Sequence, residues 1–169
     1  MMISVIGGER CPREDLEAAE IVGRELAKSG VTLVCGGRGG VMEAACRGAR
    51  SANGHTVGIL PGRGPVDSPP NAYVEFPIYT GMGFARNVMV VLSGEAVIAI
   101  AGAYGTLSEI AYALIHDIPV IGLDTWDFNY HAHEGERIIR SSDPVRAAQI
   151  AIEEAKTRQQ LRRGSHDQG

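Results

Sequence analysis

The feature that most constrains this chain is a unit repeated along it: a short apolar run, a glycine turn, then a helical pattern. Met2-Ile3-Ser4-Val5-Ile6 ends in Gly7-Gly8, and Val31-Thr32-Leu33-Val34-Cys35 ends in Gly36-Gly37-Arg38-Gly39-Gly40. Ala96-Val97-Ile98-Ala99-Ile100 leads into Ala101-Gly102-Ala103-Tyr104-Gly105-Thr106. Apolar, partly β-branched runs of this length read as strands buried on both faces, the habit of parallel sheets. Alternation with helices then predicts an α/β fold: a doubly wound, mostly parallel sheet of six or seven strands with helices on both faces. Right-handed crossovers bring the C-terminal strand ends to one edge, where open α/β sheets bind ligands. The loops at 7–8, 36–40, 81–83 and 102–106 therefore converge on a common edge.

The remaining elements follow in order. Arg13-Glu14-Asp15 opens a helix behind Pro12, with Leu16, Ala19, Val22 and Leu26 as its apolar stripe and Gly30 as its stop. A small-residue helix runs from Val41 to about Ala52, and His55–Leu60 reads as a strand. Residues 61–72 hold four prolines and no periodicity, so they read as a long loop of the functional or mobile kind. Tyr73–Tyr79 reads as a fourth strand, followed by a helix over 82–92. Asp117–Leu123 and Arg137–Arg140 read as two more strands, with a surface loop over 124–136. Asp143-Pro144 starts a last helix with Val145, Ala148, Ile152 and Ala155 inward. One domain is expected over 1–158, with 159–169 as a fraying tail.

Charge and composition exclude several functions. A net charge of −4 and only 5% aromatic residues leave neither the basic excess nor the stacking platforms of a nucleic-acid surface. No run reaches the ~18 apolar residues of a membrane span, and the N-terminus enters a strand directly. Cys11, Cys35 and Cys46 lack zinc spacing and read as reduced thiols, which places the chain in the cytoplasm. His131 and His133 do not match helical ligand spacing, so no metal is expected.

The sharpest local signal is the 101–109 stretch. A strand, a glycine turn and a helix start present bare N–H groups at a positive helix end, which suits phosphate. Glu109 has two readings: the N3 partner of Thr106 in a capping box, or a functional carboxylate. Arg86 reads as an exposed helix arginine or as the guanidinium that meets an anion or holds a carboxylate. Asn87 reads a base edge or ribose hydroxyl, or caps locally. Arg38, inside a glycine loop, faces phosphate or solvent. A G-x-G-x-x-G fingerprint and a Walker lysine are both missing.

Taken together, Gly36-Gly37-Arg38-Gly39-Gly40-Val41-Met42, Gly81-Met82-Gly83-Phe84-Ala85-Arg86-Asn87 and Gly102-Ala103-Tyr104-Gly105-Thr106-Leu107-Ser108-Glu109 resemble the LOG family over roughly residues 2–123. Within it they are closest to the branch containing molybdenum-cofactor carrier proteins. The resemblance implies a Rossmann-like fold and a homodimer or higher homo-oligomer. It also implies a phosphate held by Gly102, Gly105 and Thr106, and a catalytic pair in Arg86 and Glu109. With the strand-end loops, the expected ligand-binding set is Gly7, Gly8, Gly36, Gly37, Arg38, Gly39, Gly40, Met82, Asn87, Gly102, Ala103, Tyr104, Gly105 and Thr106.

Family enzymes hydrolyse the N-glycosidic bond of nucleoside 5′-monophosphates, through a signature P-G-G-x-G-T-x-x-E loop and an R-K pair. Here Ala101 stands for the proline, Ala103 for the second glycine and Asn87 for the lysine. Ala103 stiffens the loop or disallows a positive φ, and Asn87 removes a charge. The expectation is therefore a protein that binds a phosphorylated ligand, a nucleotide or molybdenum cofactor, without needing a further cofactor. The alternative is a phosphoribohydrolase. Lysine decarboxylation, an older label of the family, is not supported, because no strand-end lysine is placed to hold pyridoxal phosphate.

Overall fold

The apolar runs form the strands expected of them, the first running one residue further and the next five trimmed by one to three residues at their starts. The computed structural model describes residues 1–127 and 138–166, with side chains to residue 164. Its strands are β1 (Met2–Gly7), β2 (Thr32–Cys35), β3 (Thr56–Leu60), β4 (Phe76–Tyr79), β5 (Val97–Ile100), β6 (Val120–Leu123) and β7 (Ile138–Arg140). Its helices are α1 (Arg13–Lys28), α2 (Val41–Ser51), α3 (Asn87–Leu92), α4 (Tyr104–Ile115) and α5 (Pro144–His166). A single 3-10 turn, Gly83–Arg86, leads into α3.

All seven strands are parallel, in the order β4-β3-β2-β1-β5-β6-β7. The order reverses between β1 and β5, which makes that gap the topological switch point. One core lies between the sheet and α1, α2 and α5, around Val5, Leu26, Ala45 and Ala151. The other lies beneath α3 and α4, around Val90, Val91, Ile110 and Ala113. The sheet is therefore doubly wound, as the sequence predicts.

The small residues of α2 have a specific use. A methyl group built on Gly48 would overlap the carbonyl oxygen of Glu20, and one on Gly23 would overlap that of Ala45. Thus α1 and α2 meet backbone to backbone at two reciprocal glycines. We expect Gly48→Ala to lower stability by about 1–3 kcal/mol, the cost of overpacking, despite the gain in helix propensity. Urea unfolding checks this; a stabilised variant would show that the helices separate freely.

Three expectations change. Residues 61–71 are not a loose loop. Asp67 accepts the N–H groups of Arg63 and Gly64 at 3.0 Å each, while Asn71 donates from its backbone to Gly37 and from its side chain to Arg38, both at 2.9 Å. The last helix runs to His166, through the stretch expected to fray, and no side chain over 159–164 is buried. It is anchored before that, where Arg158 meets Glu95 at 2.8 Å. Residues 82–92 form a 3-10 turn and a short helix rather than one helix. His131 and His133 lie outside the described residues.

Candidate functional site

The glycine loops after β1, β2, β4 and β5 do meet at the C-terminal edge, and each shapes its surroundings differently. Gly7 sits where a side chain would strike Val41 and the Ile100 carbonyl, so the β1, β2 and β5 loops are pressed together. The Gly8 carbonyl accepts the Val41 N–H at 3.0 Å, tying the first loop to the start of α2. Gly37 donates to the Cys35 thiol at 3.3 Å, and that thiol lies 3.5 Å from Cys46, both buried as structural cysteines. Gly39 and Gly40 complete the turn. Arg38 extends into solvent and pairs with Glu9.

The loop after β5 corrects one expectation. Positive φ falls on Ala101 (48°) and Gly102 (112°), while Ala103 has an ordinary φ of −112°. The alanine at 103 is therefore not strained; the strained alanine is at 101. Proline could not occupy position 101 in this conformation, since its ring locks φ near −65°. At Gly102 only glycine serves, because a side chain would collide with Thr106 as well as adopt the wrong φ. The loop is braced from β6: the Thr125 hydroxyl donates to the Ala101 carbonyl at 2.6 Å, and the Trp126 indole to that of Ala103 at 3.3 Å. Tyr104, largely exposed, packs its ring 5.9 Å from Trp126.

The capping box does not form. The helix starts at Tyr104 rather than after Thr106, Ala103 is its N-cap, and no side chain caps it. Thr106 becomes the third residue of α4, where the first-turn N–H groups have no intrahelical acceptor. Glu109 is thereby released from the helix end and turned inward.

Glu109 faces Arg86. The two side chains are 8% and 10% exposed, with Nη1 and Oε1 3.6 Å apart, too long for a hydrogen bond. Burial pushes the Glu109 carboxyl up to about 7, and the Arg86 charge only partly offsets it. Burial also lowers Arg86 from its ordinary value, with Glu109 pulling the other way. Arg86 lies flat over Gly36: a methyl group there would sit 2.5 Å from Nη2 and 2.8 Å from Cζ. Among the described residues Arg86 has no hydrogen-bond acceptor. A buried guanidinium with unused donors, beside a carboxyl balanced between its two forms, is an arrangement suited to an anion or to proton transfer.

Asn87 is buried but spoken for. Its Nδ2 donates to Ser108 at 3.0 Å and to the Gly105 carbonyl at 3.4 Å, clamping α3 to the first turn of α4. The clamp leaves that amide nitrogen engaged within the protein. Met82 is exposed on the turn before Arg86. Arg86, Glu109 and the 36–40 loop are thus brought together, while Arg38 turns away toward Glu9. Sequence reading does not single out Thr125 and Trp126 as braces, because their partners are backbone carbonyls across the sheet edge.

A Rossmann-like α/β protein whose glycine loops gather at the C-terminal edge of its sheet is the class this arrangement defines. The model of the SLOG cluster4 family matches residues 1–157, and the chain belongs to that family. It is 46% identical over 114 residues to an uncharacterized protein of Archaeoglobus fulgidus, covering 68% of this chain and 74% of that one. It is 32% identical over 120 residues to a cytokinin riboside 5′-monophosphate phosphoribohydrolase of Mycobacterium tuberculosis, covering 67% of this chain and 64% of that enzyme.

Among solved structures it resembles the molybdenum cofactor binding protein of Rippkaea orientalis, with TM-score 0.81, 37% identity, and 88% and 93% of the two chains covered. The molybdenum cofactor carrier protein of Chlamydomonas reinhardtii gives TM-score 0.80, 30% identity, and 92% and 98% coverage. The LOG-like, carrier-like resemblance read from the motifs is borne out.

Proposed function

We propose that this protein binds a phosphorylated small molecule, a nucleotide or molybdenum cofactor, at the C-terminal edge of the sheet between β1 and β5. The phosphate rests on the first-turn N–H groups of α4 and on Gly102, Gly105 and Thr106, with Arg86 beside it. One observation carries the reading: Arg86 is buried, yet none of its donors meets an acceptor among the described residues. A guanidinium in that state is stabilised by an anion from outside. The carrier-like relatives support binding as the outcome. The test is calorimetric titration with nucleoside monophosphates and with molybdenum cofactor. Saturable binding weakened by Arg86→Ala is the expected result, and no binding of either overturns the reading.

A second reading rests on Glu109. A carboxyl poised near 7 suits general acid–base work on an N-glycosidic bond, the reaction named for the mycobacterial relative. Chromatographic detection of free base from AMP or GMP tests it; no release across a nucleotide panel ends it.

We also propose a homodimer. The α3–α4 face exposes Phe84 (85%), Met89, Leu92, Tyr112 and Ile115 (69%), while Val90 and Val91 turn inward. Large apolar side chains grouped on one face mark an association surface. Phe84→Glu should convert a dimer to a monomer in light scattering after size exclusion. Wild-type protein running as a monomer would remove the seam.

A further inference from the structure

The last strand reaches the loop after β5 through a single side chain. Arg140 ends β7, at the edge of the sheet and beyond β6 from β5. Its Nη1 donates to the Thr125 carbonyl at 3.1 Å, and its Nη2 to the Trp126 carbonyl at 2.8 Å and to Asp127 Oδ1 at 2.9 Å. A planar fork of five donors suits acceptors on three consecutive residues, whereas a lysine ammonium is a point charge. Gly122, opposite Arg140 in the ladder, keeps the space beneath clear. A methyl group there would lie 2.9 Å from both Thr125 Cγ2 and Ile138 Cγ2.

The gripped segment holds the loop in turn. Ala101 donates its N–H to the Leu123 carbonyl at 3.0 Å, and its own carbonyl accepts the Thr125 hydroxyl at 2.6 Å. The Trp126 indole donates to the Ala103 carbonyl at 3.3 Å. Ala101 has a φ of 48°, a conformation an alanine keeps only where its surroundings impose it. In a trans peptide the N–H points opposite to the C=O. Holding the Ala101 and Ala103 carbonyls against Thr125 and Trp126 therefore turns the N–H groups of Gly102 and Tyr104 the other way. Those are donors that an anion at the start of α4 would meet.

We propose that Arg140 is a positioning residue for this loop: it fixes Thr125 and Trp126, and through them the direction of the Gly102 and Tyr104 N–H groups. The role rests on the phosphate site proposed above and adds the residue that holds that site in shape from the far edge of the sheet. Arg140 acts through its two carbonyl partners, so its charge alone is not enough.

Hydrogen–deuterium exchange of the full chain without ligand tests the brace directly. In Arg140→Ala, peptides covering 100–107 should exchange roughly ten-fold faster, the order of freeing one backbone residue, with β1 and β2 unchanged. Emission from Trp126, the single tryptophan of the chain, should move to longer wavelength as the indole leaves Ala103. Arg140→Lys, which keeps the charge and loses the fork, should exchange like Arg140→Ala. Calorimetric titration with AMP reads the consequence: affinity should fall roughly ten-fold in both variants, the cost of re-ordering the loop on binding. Thr125→Val/Trp126→Phe should lose as much, and adding Arg140→Ala to that pair should cost nothing further. Unchanged exchange over 100–107 in Arg140→Ala, or faster exchange spread evenly over the sheet, overturns the proposal. So does wild-type affinity in Arg140→Lys, which would make the charge itself the contribution, or additive losses in the combined variant. If wild type does not bind AMP, that result counts against the phosphate reading, and the exchange and emission still decide the brace.

Discussion

Glu109→Gln should stabilise the protein by about 3 kcal/mol at pH 8 and leave its stability unchanged at pH 4. The folded carboxyl holds its proton up to about 7, against an ordinary value of 4.5, because burial outweighs the attraction of Arg86. Between those two pH values the unfolded chain has released a proton that the folded chain retains. The unfolded state therefore binds fewer protons, and stability falls as pH rises through that window. Above pH 7 both states are ionised and the penalty stays constant, at about 1.4 kcal/mol for every tenfold difference in proton affinity between the folded and unfolded chain. Below 4.5 both are protonated and the penalty is gone. Glutamine, neutral at every pH, mimics the protonated form throughout. Urea unfolding of wild type and variant at pH 4, 6 and 8 measures the difference. Equal stabilities at all three, or a less stable variant at pH 8, would mean that Arg86 keeps Glu109 ionised. Under the hydrolytic reading the same variant loses turnover while gaining stability, the trade expected at a site built for function rather than for the fold.

How far the sequence reveals this site depends on the range of the interaction involved. The strands are legible because their apolar runs carry the pattern of a doubly buried sheet, and the common edge then follows from parallel topology alone. The glycine turn and helix start at 102–106 are legible because the two are adjacent in the chain. The role of Glu109 is not. Thr106 and Glu109 match a capping box by spacing, yet the helix begins earlier, at Tyr104, and the carboxylate turns to Arg86 on a different element. Local spacing cannot register a partner brought in by a crossover from β4. The same holds for Asn87, which pins Ser108 and Gly105, and for the proline-rich segment, whose order comes from Asp67 and Asn71 reaching separate backbone groups. The family motif misplaces the strain as well. It points to Ala103 as the departure from a glycine, whereas the left-handed alanine is Ala101.

Gly36→Ala should weaken ligand binding by roughly ten- to hundred-fold with almost no change in melting temperature. Gly36 does not have a positive φ, so alanine is compatible with its backbone. The three atoms nearest the added methyl group all belong to the Arg86 guanidinium, with Nη2 at 2.5 Å and Cζ at 2.8 Å. The end of a long side chain can swing aside at little cost, so the fold survives and the guanidinium leaves its place. A displaced Arg86 would forfeit charge-assisted hydrogen bonds to the proposed anion, each worth about 1.5–3 kcal/mol, and about 1.4 kcal/mol is a factor of ten in affinity. A double-mutant cycle separates this from a general disturbance of the loop. If Gly36 acts by supporting Arg86, the combined Gly36→Ala/Arg86→Ala protein binds no more weakly than Arg86→Ala alone, because the interaction has already been removed. Additive losses would assign Gly36 a contact of its own with the ligand. Unchanged affinity in the single variant would show that Arg86 does its work from another position, and a joint loss of binding and melting temperature would make the glycine a residue of the fold rather than of the site.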